Sequence, residues 1–245
     1  MKSARWSGSV AGLAPVSFCV MGLGEEVHWV SLALMKSLHA RGYRITGLLP
    51  LAHDAKWRQG HWRSEQVVQL QDASSFRFPI SALCTAPQPD PQGRALPQMD
   101  AASVADSYAV LATWADVVVV DGLADPDDLL APGLNMSDVA QVLGLPVIIA
   151  CGDSEAALQE SCQLVSRLRG RGLDVVAWVQ TGSRSLACAA GIPCVGAVPC
   201  EVLYAPARAA QHMDVDRLLL ALHSLADPPA TITPANGRKT QGRAR

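Results

Sequence analysis

The chain has 245 residues, 49% apolar and 17% charged, with a net charge of −2. That is enough length and apolar surface for one large α/β domain with a sizeable core. The charge gives no electrostatic reason to expect nucleic acid, and no stretch has the length and polarity of a membrane span.

Residues 1–15 read as a loose leader. Their mildly apolar stretch is broken by Gly12 and Pro15 and runs into the first strand, which argues against a signal peptide. The predicted elements then alternate. A strand at Ser17–Met21 is followed by a glycine turn and an amphipathic helix from Glu25 to about Ala40, apolar at Val27, Val30, Leu34 and Leu38. Gly42 ends that helix, a second strand covers Arg44–Leu49, and Pro50 is expected to stop it.

Residues 52–105 read as irregular apart from a short helix at Ser64–Gln71, with a proline-rich loop at PQPDPQGRALPQ. A helix follows at Ala102–Trp114. The strand Asp116–Asp121 contains four consecutive valines, the pattern of a central parallel strand covered on both faces. Further helices are predicted at Ser137–Leu143, Ser154–Arg169, Ser183–Ala190 and Asp214–Leu225. The intervening strands are Pro146–Cys151, Asp174–Gln180 and Cys194–Val198. The tail, residues 226–245, is basic and rich in proline and glycine, and reads as disordered and dispensable for folding. Alternation of this kind predicts a single domain over 16–225, with a doubly wound, mostly parallel sheet and ligands beyond the strand C-termini.

The seven cysteines are scattered, without a Cys-x-x-Cys pair, and read as reduced thiols of a cytoplasmic protein. Cys194 and Cys200 lie close together near loops, but no further zinc ligands accompany them.

The strand–turn–helix at 16–43 is the layout in which backbone N–H groups and a helix N-terminus hold a nucleotide phosphate. Its turn reads Gly22-Leu23-Gly24-Glu25-Glu26-Val27-His28-Trp29-Val30. A working phosphate loop ends in Gly-Lys-Thr, where this chain has His28, Trp29 and Val30. Glu25 and Glu26 repel a phosphate and suit a helix N-terminus without any ligand.

In order and spacing the chain resembles the dethiobiotin synthetase family of P-loop NTPases over about residues 16–205. The resemblance rests on the turn above, on "ARGY" and the Leu49-Pro50 segment, and on Val118-Val119-Val120-Asp121-Gly122. Farther on it rests on "GLPVIIACGDSEAALQES", "GLDVVAWVQT" and "AAGIPCVGAVP". It implies a P-loop NTPase-like fold, a homodimer, and ATP- and Mg²⁺-dependent closure of a ureido ring from a diamine and CO₂. Trp29 then stands at the phosphate lysine, Val30 at the metal hydroxyl, Leu49 at the substrate lysine and Thr181 at the nucleobase asparagine. Glu65 and Asp121 remain as candidate metal carboxylates, while Ala124 and Asp125 interrupt the glycine pair after Asp121.

Phosphoryl transfer depends on positioning and electrostatic stabilisation, and the substituted side chains carry no positive charge. The expectation is a catalytically degenerate relative acting as a scaffold or regulator, with no cofactor. The alternative is an active ligase using substituted residues and ATP-Mg²⁺, with Lys56 as the substitute cation; Lys36 lies too far along the helix. Other readings of single residues remain open. Asp121 reads as a metal ligand or a turn cap, and Glu65 as a ligand or a solvated helix residue. His28 reads as a base, a stacking partner or a plain loop residue. Trp57 and Trp62, near His53 and His61, read as a contact for a partner or second copy, or as packing onto the sheet. Neither nucleic acid nor membrane is expected as a partner.

Overall fold

The computed structural model describes residues 16–58, 61–87, 99–122, 125–182 and 191–224. The first half contains β1 (Phe18–Gly22), α1 (Glu26–Ala40), β2 (Ile45–Ala52), β3 (Lys56–Arg58), β4 (His61–Arg63), α2 (Glu65–Ala73), α3 (Ile80–Leu83) and β5 (Cys84–Pro87). Next come α4 (Ala101–Ala112), β6 (Val117–Asp121), β7 (Leu129–Ala131), β8 (Leu134–Asn135), α5 (Met136–Leu143), β9 (Val147–Cys151) and α6 (Glu155–Gly170). The chain continues through β10 (Val175–Thr181), β11 (Cys194–Val198), α7 (Cys200–Leu203), α8 (Pro206–Ala209) and α9 (Val215–His223). The leader, the tail, the helix expected at Ser183–Ala190, Ala124 and the Trp57 side chain lie outside the described residues.

Seven strands form one sheet in the order β11-β10-β9-β1-β6-β2-β5, and every pair in it is parallel. Strands β1, β6 and β9 are buried along their whole length, as expected for strands covered on both faces. The valines of β6 are each 1% exposed or less. All six predicted strands are present; the seventh, β5, was not predicted. Its four residues, Cys-Thr-Ala-Pro, are too few for alternation to show, and it gains its place at the sheet edge only by pairing with β2. The segment read as irregular also holds the antiparallel hairpin β3–β4, with Trp57 opposite Trp62.

Pro50 does not end the second strand. β2 pairs with β6 from Ile45 to Leu48, then with β5 from Leu49 to Ala52. Pro50 lies beyond the last β2–β6 pair, so its missing N–H removes no bond from that ladder.

Helix α1 is not amphipathic in the expected way. Val27, His28, Val30, Ser31, Leu32, Ala33, Leu34, Met35, Ser37 and Leu38 are all buried. The helix packs on β1 and β6 and is covered in turn by α2, α7 and α8, so only a narrow strip meets solvent. Gly42, at φ +89°, ends it in a left-handed conformation that costs glycine little. No helix among the described residues is long and apolar enough to cross a membrane.

The turn after β1 is tight for a local reason. A Cβ on Gly22 would sit 2.7 Å from the Ala150 carbonyl oxygen and 2.8 Å from a Val27 methyl. Gly22→Ala is therefore expected to destabilise the fold by about 1–3 kcal/mol through overpacking. Urea unfolding measures this, and an unchanged midpoint would show that the turn has room to spare.

Candidate functional site

The sheet order brings the site together. β1 lies between β6 and β9, so the turn after β1 lies beside the end of β6 at the ligand edge of the sheet. Val20 is in register with Asp121, and Gly122 N–H donates to the Val20 carbonyl at 3.0 Å. Helix α1 starts four residues after Gly22, so its first turn hangs over the end of β6.

His28 and Ser31, three residues apart on that helix, share a face. Both reach Asp121, which is 1% exposed. Ser31 Oγ donates to Asp121 Oδ1 at 2.8 Å, and also to the Val27 carbonyl at 3.0 Å. His28 Nδ1 donates to Asp121 Oδ2 at 2.5 Å. On the other side of the ring, His28 Nε2 lies 2.8 Å from Gln69 Oε1 on α2. Both ring nitrogens thus face acceptors, which suits the doubly protonated imidazolium.

Burial opposes that charge. The Asp121 charge, the hydrogen bonds to Asp121 and Gln69, and the more distant Asp54 outweigh it, so the His28 pKa lies above the ordinary 6.5. The result is a buried ion pair, with side chains 9% and 0% exposed.

Above this pair opens a cleft of about 470 Å³. His28, Trp29, Leu49 and Glu65 line it together with Gly24 and Glu25, so most of the residues singled out from the sequence do meet in one place. Two do not. Val30 is fully buried in the core, and Thr181 is buried with its hydroxyl on the Cys151 carbonyl at 3.3 Å. Gly22 is buried beneath the turn, and Glu26 is half-buried on the first turn of α1. Trp29 makes an edge-on contact with Tyr204, ring centres 5.2 Å apart, and another with His28 at 5.6 Å.

The cleft is acidic. Glu25, Glu65 and Asp128 line it, and no lysine or arginine does among the described residues. The N-terminus of α2, a second place where an anion could bind, is already filled from within the chain. Asp54 accepts from Ser64 Oγ at 2.5 Å and from the backbone N–H groups of Glu65 and Gln66 at 2.6 and 3.1 Å. Lys36 is anchored on the Asp72 carbonyl. Among the described residues no group of three or more His, Cys, Asp or Glu side chains is placed to hold a metal ion.

Ser31, Gln69, Asp54 and Tyr204 were missed from the sequence. Ser31 was legible, because it lies at i+3 from His28 on a predicted helix. The other three come from segments that only the tertiary fold brings near.

The parallel sheet with its glycine turn after β1 defines a P-loop NTPase-type fold. MinD cell division protein of Aquifex aeolicus superposes on 87% of this chain and 98% of its own, with a TM-score of 0.51 at 10% identity. In sequence the chain is similar to dethiobiotin synthetases. It is 29% identical over 173 residues to the ATP-dependent dethiobiotin synthetase of Aromatoleum aromaticum, covering 67% of this chain and 77% of that protein. To the corresponding protein of Xanthomonas euvesicatoria pv. vesicatoria it is 28% identical over 164 residues, covering 64% and 72%. No family model matches the chain.

Proposed function

We propose that this chain is a dethiobiotin synthetase-like protein whose nucleotide site has been rebuilt so that it no longer holds ATP-Mg²⁺, and that it acts as a scaffold or regulator linked to biotin metabolism. The observation that carries this reading is the state of Asp121. Its two oxygens are taken by His28 and Ser31, so the carboxylate that would face a metal already faces an internal cation. Three carboxylates around the cleft, with no lysine or arginine among its described lining residues, oppose a polyphosphate further. The residues present do not fit ATP-Mg²⁺. Glu65 is a cleft residue in this reading and not a metal ligand.

The protein is expected in the cytoplasm as a homodimer, with room for an unidentified protein partner. The six described cysteines, all free thiols, support the first, and exposed Val110 and Trp114 offer apolar surface for the second. Trp62 is partly buried against the core, which supports packing over contact for that residue.

The second reading is an active carbon–nitrogen cyclo-ligase. Lys56, exposed on β3, is the residue that favours it, since the hairpin begins close after cleft residue His53. One experiment separates the two. In an assay of ATP- and CO₂-dependent ring closure of the diamine, the wild-type protein is expected to show no turnover above background. Robust turnover that Lys56→Ala abolishes would overturn the degenerate reading and name the substitute cation.

A further inference from the structure

We infer that the cleft of about 470 Å³ takes a small, neutral, planar molecule bearing a carboxamide or lactam. The carbonyl of that ligand accepts from Gln69, and its N–H donates to Glu65. The inference rests on the reading that the cleft holds no ATP-Mg²⁺, and it names what the cleft holds instead.

It starts from the way one amide is turned. His28 Nδ1 donates to Asp121 Oδ2, and His28 Nε2 donates to Gln69 Oε1 at 2.8 Å. An amide carries its acceptor on one branch and its two donor hydrogens on the other. With Oε1 held on the imidazole, the Nε2 hydrogens of Gln69 are left for another partner. Among the described residues nothing accepts from Nε2, and the atom is not one of the buried side-chain atoms without a partner, so it keeps accessible surface. Gln69 lines the cleft, and these donors are what it offers there. The ion pair behind the amide polarises it and strengthens the bond it can donate.

The matching acceptor stands on the same helix. Glu65 lies four residues before Gln69 on α2, which sets their Cβ atoms about 5–6 Å apart on one face, and both line the cleft. The backbone N–H groups of Glu65 and Gln66 are already taken by Asp54, so a ligand meets side chains here and not the helix end. An amide donor beside a carboxylate is the complement of a carbonyl beside an N–H. Trp29 adds a planar wall: it is half-buried in the cleft lining, and edge-on contacts with Tyr204 and His28 hold its ring. An ammonium ion would leave Gln69 Nε2 without an acceptor. A carboxylate ligand would face Glu25, Glu65 and Asp128.

Benzamide is the probe, with benzoate and benzylammonium as its anionic and cationic counterparts on the same ring. In saturation-transfer NMR titrations of the full chain, benzamide is expected to bind saturably and more tightly than either counterpart. Gln69→Glu keeps an oxygen on His28 and nearly the same shape, but replaces the donor by a second carboxylate oxygen. It should weaken benzamide at least about tenfold without lowering the thermal midpoint. Glu65→Ala, at an exposed position, should weaken it as well. No saturable binding of benzamide by the wild type would overturn the inference, as would unchanged affinity in Gln69→Glu. Tighter binding of benzylammonium than of benzamide by the wild type would overturn it too, and would show a cation site. Calorimetry with ATP-Mg²⁺ separates the two readings: tight binding sinks the proposed function, whereas binding of neither ligand sinks the carboxamide site alone.

Discussion

Replacing His28 with alanine is expected to destabilise the protein by about 3–5 kcal/mol, because it strands a buried carboxylate. Asp121 has no exposed side-chain surface, and Ser31 alone would remain to satisfy it. The double variant His28→Leu/Asp121→Leu removes both charges and fills similar space, so it should recover most of the loss. Urea unfolding of both variants measures this, and a loss below about 1 kcal/mol in the single variant would show that the pair behaves like an exposed one.

The pair also gives stability a pH dependence of definite sign. His28 binds its proton more tightly in the folded chain than at the ordinary 6.5. Its contribution is therefore fully present below 6.5 and is lost as the pH rises through the higher folded-state value. Wild-type stability should fall across that window relative to the double variant, which lacks the titrating group. Carbon-proton shifts of the His28 ring, followed by NMR, should titrate above 6.5.

If the proposed function holds, restoring Gly-Lys-Thr at positions 28–30 is expected to create a nucleotide site. His28→Gly, Trp29→Lys and Val30→Thr together put an ammonium group in place of an indole in the cleft wall and free Asp121 Oδ2, while the hydroxyl at position 30 starts in the core and reaches the cleft only if the first turn of α1 shifts once the His28 ring is gone. Two charge-assisted hydrogen bonds at about 1.5–3 kcal/mol each correspond to a gain of about a hundredfold or more in ATP-Mg²⁺ affinity. Calorimetry compares the two proteins directly. A separate readout guards against misfolding: Mg²⁺ alone should raise the thermal midpoint of the triple variant, whose Asp121 seeks a cation, and leave that of the wild type unmoved. Tight ATP-Mg²⁺ binding by the wild type would sink the proposed function. The absence of any gain in a folded triple variant would show that Glu25, Glu65 and Asp128 dominate the cleft.

The sequence by itself determined the sheet and most of its helices. The valine run, the strand–helix alternation and the glycine turn at Gly22 are local signals, since covered strands and helix ends depend on residues that are neighbours in the chain. It also carried the resemblance, in which Trp29 and Leu49 stand where lysines are expected and Val30 where a hydroxyl is, differences read from single letters. What Asp121 and His28 pair with was decided only by tertiary structure. The partners of Asp121 are 93 and 90 residues away, and Gln69 is 41 residues from His28. No periodicity records a pairing of that span; it follows from β1 being threaded between β6 and β9, which places the first turn of α1 over the end of β6. The same holds for β5, whose four residues have no strand signal of their own and are ordered by the edge that β2 presents, and for the run of β2 through Pro50, which depends on where its pairing with β6 stops.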